Sequence, residues 1–162
     1  MWYYLDNEIN SISDMPEGVI GFVYKLTFTD NTKYIGKKNL YTTRTIKALK
    51  NGKSRENTVE HLYRNTGKGF RQKFDVIKKE SNWKIYQGSA IECKNKTVAR
   101  KEIIQYAFSN QELTYLEAKM LFKYDVLENA NYINDNILGK FYRGKLYGKS
   151  TDTFTSNKKK VP

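Results

Sequence analysis

The fold is decided by the stretch Gly21-Phe-Val-Tyr-Lys-Leu-Thr-Phe28, which is followed by Lys33-Tyr-Ile-Gly-Lys-Lys38. Apolar side chains recur at every second position of the first segment, which predicts a half-buried strand. Asp30-Asn31-Thr32 favours a turn, and the second segment begins a returning strand. The sequence therefore predicts a β-hairpin that carries Tyr24 and Tyr34, ten residues apart.

The chain of 162 residues has a strong excess of basic side chains, with 29 Lys and Arg against 17 Asp and Glu and a formal net charge of +12. The length predicts one domain that can bury a real hydrophobic core. The charge predicts a polyanionic partner, because each neutralised phosphate releases counterions. Nucleic acid is the favoured partner, and the alternatives are simple solubility or a ribosomal or membrane-surface role.

Several classes of protein are disfavoured by what the sequence lacks. Cys93 is the only cysteine, so neither a disulfide framework nor a thiolate zinc site is expected. No apolar run approaches the roughly 20 residues that span a bilayer, and the N-terminus has no signal-peptide pattern. We therefore expect no membrane partner and a cytoplasmic location. The heavy use of Lys, Asn, Ile and Tyr suits an AT-rich genome, such as that of a phage or a low-GC bacterium.

The segments around the hairpin predict a small α+β domain. We predict an N-terminal extension over 1–17, a domain over 18–145 and a basic flexible tail over 146–162. A basic helical insertion is expected at about 46–80. Its helices are predicted from a cap at Thr42 or Thr43 to Asn51-Gly52, at 57–64 and at 70–79.

Two later segments complete the predicted fold. Residues 97–107 are expected to form the third strand, anchored by Val98, Ile103 and Ile104. Residues 110–126 form the clearest helix, with Asn110 as its cap and apolar side chains at a spacing of three to four. The expected architecture is a three-stranded antiparallel sheet flanked by helices.

The hairpin resembles the core of the GIY-YIG nuclease family. The paired signature of the family is written here as Phe22-Val23-Tyr24 and Tyr34-Ile35-Gly36, and its basic positions are matched by Lys37 and Arg44. Residues 83–89, Trp-Lys-Ile-Tyr-Gln-Gly-Ser, are similar to an element of the Seg-type phage endonucleases. Two positions depart from the family pattern: Phe22 replaces a glycine, and Ala48 stands where some branches have a histidine.

The resemblance implies a metal-dependent DNA endonuclease that hydrolyses phosphodiester bonds with Mg²⁺ or Mn²⁺. Double-stranded DNA is the implied partner, and a phage-encoded homing-like or site-directed nuclease, acting in the host cytoplasm, is the implied setting. The alternative is a catalytically inactive nucleic-acid-binding protein on the same scaffold. A basic structural protein would require the agreement between motifs to be accidental.

The resemblance also assigns roles to individual residues. Glu117 is implied to hold the metal, which fits its place among core-type side chains, where an unpaired carboxylate is costly without a cation. Tyr24 is the favoured base, although either tyrosine can act so only if nearby cations lower its pKa. Tyr34 and Lys37 are expected to assist at the water or the phosphate, and Arg44 to stabilise the phosphate charge. The late asparagine of the family is Asn134, with Asn136 as its rival.

The length of the hairpin turn decides whether the two tyrosines share a site. A two-residue loop would pair Tyr34 with Thr27 and place it on the face opposite Tyr24. A three-residue loop, Asp30-Asn31-Thr32, would pair Tyr34 with Phe28 and place both tyrosines on one face. We predict the odd-length loop or an equivalent bulge.

The basic insertion is expected to contribute much of the grip on DNA. The glycines of Gly67-Lys68-Gly69 let backbone N–H groups approach a phosphate closely. The residues predicted to bind nucleic acid are Lys38, Lys68, Arg71, Lys73 and Arg143.

Overall fold

Ten strands and two α-helices make up the part of the chain that the computed structural model describes, residues 1–67 and 69–146. In chain order they are β1 (Trp2–Tyr4), β2 (Asn7–Ile9), β3 (Gly21–Phe28), β4 (Lys33–Asn39), β5 (Tyr41–Lys47), β6 (Thr58–Asn65), β7 (Arg71–Glu80), α1 (Ile91–Lys94), β8 (Val98–Ala107), α2 (Asn110–Lys123), β9 (Asn136–Ile137) and β10 (Phe141–Tyr142). Short 3-10 turns lie at Ile12–Asp14, Trp83–Ile85 and Arg143–Lys145. The predicted tail falls outside the described residues except for Leu146.

The central sheet has five strands in the order β2-β1-β8-β3-β4. The three expected antiparallel strands are present as β8, β3 and β4, but they belong to a larger mixed sheet, since β1 runs parallel to β8. The expected three-stranded sheet is therefore not confirmed. Residues 2–9 supply two strands of this sheet, so the N-terminal segment is not an extension beside the domain. β4 forms one edge of the sheet, which later matters for access to its side chains.

The hairpin formed by β3 and β4 has a loop with an odd number of residues, as predicted. Tyr34 lies opposite Leu26, and Tyr24 lies opposite Gly36. The N–H of Phe28 donates to the carbonyl of Thr32 at 2.9 Å, which leaves a three-residue loop at 29–31. Asn31 takes the left-handed conformation (φ 63°) that this loop type requires at its last position. Both tyrosines therefore share one face, as predicted, although the partner of Tyr34 is Leu26 rather than Phe28.

Each face of the central sheet covers its own hydrophobic core. One core contains Phe22, Tyr24 and the two tryptophans, Trp2 and Trp83. The other core packs α2 against Val23 and the neighbouring strands through Leu113, Leu116, Met120 and Leu121. The helix predicted at 110–126 and the strand predicted at 97–107 are both confirmed. The cap of α2 is Ser109, which accepts a hydrogen bond from the N–H of Glu112 at 3.1 Å, and not Asn110.

Trp2 ties the N-terminal segment into the first core. Its side chain is 1% exposed, its ring lies edge-on to Phe22 at 5.1 Å, and its Nε1 donates to the carbonyl of Trp83 at 2.9 Å. We expect Trp2→Ala to lower the free energy of unfolding by about 3–5 kcal/mol in urea denaturation, because it leaves a large cavity. Tyr3→Ala is the matched control, since Tyr3 is only half-buried on the same strand. A loss for Trp2→Ala no larger than that for Tyr3→Ala would contradict the placement of Trp2 in this core.

The insertion is a separate sheet and not a set of helices. β5, β7 and β6 form a three-stranded antiparallel sheet in that order, so the helices predicted at 42–52, 57–64 and 70–79 are wrong. β5 is rich in β-branched residues (Thr42, Thr43, Thr45, Ile46), which favour strands. In β7 the consecutive residues Asp75, Val76 and Ile77 are all buried, so neither the period of a strand nor that of a helix is clean.

Candidate active site

The candidate active site lies at the outer edge of β4. Successive side chains of a strand point to opposite faces, so Tyr34 lies on one face of the sheet and Lys37 on the other. The segment after α2 covers part of this edge, with the N–H of Lys33 donating to the carbonyl of Asn131 at 2.8 Å. A cleft of about 280 Å³ opens here, lined by Tyr34, Ile35, Ser89, Ala90, Glu92, Glu117, Leu121, Ile133, Asn134, Asp135, Asn136 and Leu138.

The two tyrosines are neighbours but have different access to this cleft. Their ring centroids are 6.2 Å apart, and only Tyr34 lines the cleft. Tyr24 is 1% exposed, and burial raises the pKa of its phenol far above the usual range. Burial also raises the pKa of Tyr34, to about 12, with Glu117 acting in the same direction and a hydrogen bond with Ser89 opposing it. The structure therefore disfavours Tyr24 as the group that takes a proton.

Gly36 makes room for this pair of phenols. A Cβ atom at this position would lie 2.7 Å from the hydroxyl oxygen of Tyr24 and 2.9 Å from the ring of Tyr34. Contacts this short would force one of the rings to move. The glycine at the end of the second motif is thus explained by close approach of the tyrosines.

Glu117 and Lys37 meet on the other face of the edge strand. Lys37 Nζ lies 3.0 Å from Glu117 Oε2 and donates to Thr114 Oγ1 at 2.9 Å. The side chain of Glu117 is 17% exposed and lies between buried leucines of α2. The expectation that this carboxylate needs a compensating cation is met in the structure by the ammonium group of Lys37.

The donor set of the cleft suits a hard divalent cation that keeps most of its waters. Glu92, Glu117 and Asp135 all line the cleft. Within residues 1–67 and 69–146, however, no three His, Cys, Asp or Glu side chains converge closely enough to form a metal cluster. A cation at Glu117 would therefore be held by fewer than three protein carboxylates and would keep most of its waters, which is the usual behaviour of Mg²⁺.

Asn134 and Asn136 have different structural roles. Asn134 is 5% exposed, and its side-chain amide brackets the backbone of Ile35. Its Oδ1 accepts from the N–H of Ile35 at 3.0 Å, and its Nδ2 donates to the carbonyl of Ile35 at 2.7 Å. Asn136 instead accepts from the N–H of Gly139 at 2.9 Å, within a turn. Asn134 therefore holds β4 in place between Tyr34 and Gly36, as a positioning residue.

The basic residues predicted near the phosphate are spread over two sheets. Lys38 donates to Asn82 Oδ1 at 2.7 Å and lies 4.0 Å from the ring centroid of Tyr86, and burial lowers its pKa. Arg44 is exposed on β5, where a helix was expected, and its side chain makes no hydrogen bond or ion pair with another described residue. The structure therefore does not bring Arg44 into contact with the tyrosines or with Glu117.

Of the other residues predicted to bind nucleic acid, Arg71 and Lys73 lie on β7 in the second sheet. Lys68 lies outside the described residues. The guanidinium of Arg143 donates to the backbone carbonyls of Val126, Asn129, Tyr132 and Asn134. Arg143 thus fixes the segment that carries Asn134, which is a structural role.

Two residues of the site were missed in the sequence. Thr114 precedes Glu117 by three positions on α2, so helical spacing places both on one side of the helix, beside Lys37. Ser89 is the last residue of the motif Trp83–Ser89. The resemblance to the family includes this motif but assigns no role to the serine. Both signals were present in the sequence.

The hairpin with its two tyrosines, the cleft at the edge of β4 and the glutamate on α2 are the features of an endonuclease domain of the GIY-YIG type. Residues 2–137 match the family described as "Putative endonuclease segE, GIY-YIG domain". The chain therefore belongs to this GIY-YIG endonuclease family, and the predicted resemblance to the Seg-type branch is confirmed. Searches among curated proteins and among solved structures gave no match.

The described residues include no helix that is both long and apolar enough to span a bilayer.

Proposed function

We propose that the protein is a metal-dependent DNA endonuclease that hydrolyses a phosphodiester bond in the cleft at the edge of β4. The observation that carries this proposal is that Tyr34 and Glu117 line one cleft from opposite faces of the sheet, with Lys37 bound to the glutamate. Phosphodiester hydrolysis needs an oriented water, cations near the nonbridging oxygens and help for the leaving oxygen. The site offers groups for the first two of these tasks: Tyr34 for the water, and Glu117 with its metal and Lys37 for the nonbridging oxygens.

Glu117 is the residue that would hold Mg²⁺ or Mn²⁺. The bound ion would act as a Lewis acid on a phosphate oxygen and neutralise developing charge. Lys37 lies beside the same carboxylate and would place its ammonium group on another phosphate oxygen as a point charge. Asn134 supports both groups indirectly, because it fixes the backbone of β4 between Tyr34 and Lys37.

Tyr34 is the tyrosine we assign to the attacking water. A phenol whose pKa is raised to about 12 is neutral at physiological pH, so its oxygen orients the water by a hydrogen bond in the ground state. Neutralising the charge of Glu117 would remove one of the influences that raise this pKa. Tyr24 supports Tyr34 from the buried side and keeps its ring in place.

The Lys37–Glu117 ion pair leads to a prediction about metal affinity. We expect Lys37→Met to tighten Mn²⁺ binding in the absence of DNA by about fivefold, the equivalent of an ion pair of about 1 kcal/mol, because a competing cation is removed. The measurement is a titration of free Mn²⁺ by electron paramagnetic resonance. Lys25→Met is the matched control, since Lys25 forms an ion pair of the same length, 3.0 Å, with Glu102 outside the cleft. Unchanged affinity in Lys37→Met would contradict the assignment of the metal to Glu117.

Cleavage of a supercoiled plasmid tests the proposed function. We expect conversion to relaxed or linear DNA in Mg²⁺ and none in excess EDTA. Binding without cleavage under both conditions would instead support the catalytically inactive nucleic-acid-binding protein. Cleavage that persists in EDTA would contradict the metal dependence.

A further inference from the structure

The second sheet has two faces that differ in charge. Alternation along β5 and β7, with the register Arg44↔Ile77 and Ile46↔Asp75, places one set of side chains on each face. We call one the Arg44 face; it carries Arg44, Arg71, Lys73, Asp75, Ile77, Lys79 and, from β6, His61 and Tyr63. The opposite one is the Lys47 face; it carries Tyr41, Lys47, Glu60, Arg64, Phe74, Lys78 and Glu80.

The Arg44 face has four cations whose charge is not offset at the surface. Its only acid in β5, β6 and β7 is Asp75, which is fully buried. Asp75 Oδ1 lies 3.0 Å from His61 Nδ1. The side chains of Arg44, Arg71, Lys73 and Lys79 form no ion pair or hydrogen bond with any described residue.

On the Lys47 face, most of the positive charges have partners within the face itself. It carries two exposed acids, Glu60 and Glu80. Two of its three cations lie over aromatic rings of the same face, Lys78 at 4.2 Å from Tyr41 and Arg64 at 5.2 Å from Phe74. Cations held in this way are less available to a partner.

The loop at 48–57 lies over the middle of the Arg44 face and adds to its charge. Ser54 Oγ lies 3.2 Å from His61 Nε2, so a chain from Ser54 through His61 to Asp75 fastens the loop to the sheet. The loop contributes Lys50, Lys53 and Arg55 against Glu56 alone. Lys79 lies at one end of the face with Arg44 beside Ile77, and Arg71 and Lys73 lie at the other end, beyond the buried Asp75.

One end of the Arg44 face is fixed to the catalytic sheet. Only Leu40 separates β4 from β5, and it is buried with its N–H donating to the carbonyl of Ile20 at 2.8 Å. Ser81 Oγ, just after β7, donates to the carbonyl of Asn39 at 2.6 Å. The end that carries Arg44 and Lys79 is thus attached beside the edge strand of the site. From Lys79 to Arg71 the strand extends about 26 Å away, which is the length of about eight base pairs.

We infer that the Arg44 face binds the phosphate backbone of the duplex on one side of the cleaved bond. The inference rests on the proposed function for its partner, and it adds the surface and the direction in which the DNA leaves the cleft. The unpartnered cations, the buried acid and the attachment to β4 all favour the Arg44 face over the Lys47 face. The contact is to phosphates, so it is independent of base sequence.

Two triple variants with the same loss of charge test this inference. One replaces Arg71, Lys73 and Lys79 with Gln, and the other replaces Lys47, Arg64 and Lys78 with Gln; Arg44 is kept. The affinity for a labelled duplex is measured in EDTA from about 50 to about 200 mM KCl, in a Glu117→Gln background so that no DNA is cut. Thermal unfolding and Arg71→Lys, which keeps its charge and is expected to keep the salt slope, separate binding effects from misfolding.

We expect the salt slope to fall by about two to three units in the Arg44-face variant and by less than about one unit in the Lys47-face variant. An equal decrease of the salt slope in both variants would mean that only the net charge matters. An unchanged slope in the Arg44-face variant would mean that this face does not contact phosphates. Either result overturns the inference. Because binding is read without cleavage, a wild-type protein that fails to cut DNA would contradict the proposed function and leave this comparison intact.

Discussion

Glu117→Gln is expected to lower the rate of DNA cleavage in saturating Mg²⁺ by at least about 10²- to 10³-fold. The amide has nearly the shape of the carboxylate but no charge to hold a divalent cation. DNA binding is expected to stay intact or to tighten, because a negative charge that repels phosphate is lost. The measurement is single-turnover cleavage of a duplex together with an affinity measurement for the same duplex.

Glu102→Gln is the matched control for this experiment. Glu102 is partly exposed and forms an ion pair with Lys25 at 3.0 Å, the same length as the pair of Glu117 with Lys37, but it does not line the cleft. Cleavage by Glu102→Gln should stay close to the wild-type rate. A Glu117→Gln protein that cuts nearly as fast as the wild type would show that the metal lies elsewhere.

Tyr34→Phe is expected to slow single-turnover cleavage by about 10²-fold or more, the usual size of a lost proton-transfer or water-orienting group. Tyr24→Phe should slow it much less, because its hydroxyl is buried against Gly36 and does not reach the cleft. The stability of both variants is followed by thermal unfolding. A large rate loss in Tyr24→Phe with little change in Tyr34→Phe would restore Tyr24 as the base.

The hairpin and the segments around α2 could be predicted from the sequence because local signals agree there. The alternation in β3 and the turn chemistry at 30–32 predicted the hairpin. The odd length of its loop followed from the requirement that both tyrosines share a site, and the pairing partner of Tyr34 was not obtained. Ser109 and Asn110 are both good caps, and only the hydrogen bond to Glu112 distinguishes them. In α2 the apolar spacing gave the correct helix and the correct position of Glu117.

The second sheet could not be predicted in the same way. Its centre buries Asp75, Val76 and Ile77 in sequence, so burial does not alternate along β7 as it does along a strand with one buried face. The spacing of Phe70, Phe74 and Ile77 then resembles that of a helix by coincidence. Helical capping by Thr42 or Thr43 was compatible with the sequence, while the β-branched content of β5 was the stronger signal.

The roles of the two tyrosines depended on contacts far apart in the chain. The burial of Tyr24 is produced in part by Trp2, whose ring lies 5.4 Å away, and that contact requires β1 to enter the sheet. The role of Asn134 likewise depends on Ile35, 99 residues earlier. The resemblance to the family placed these residues in the site, but only the structure distinguishes the buried supporting groups from those that line the cleft.

The dependence of the cleavage rate on Mg²⁺ concentration tests the central claim most directly. It is measured under single-turnover conditions for the wild-type protein and for Glu117→Gln, purified in parallel. The account predicts that the wild-type rate rises from none in EDTA to a plateau as one class of site fills, and that the variant shows no comparable rise. A wild-type protein that cuts no DNA at any Mg²⁺ concentration, or a variant that follows the same curve as the wild type, would contradict it.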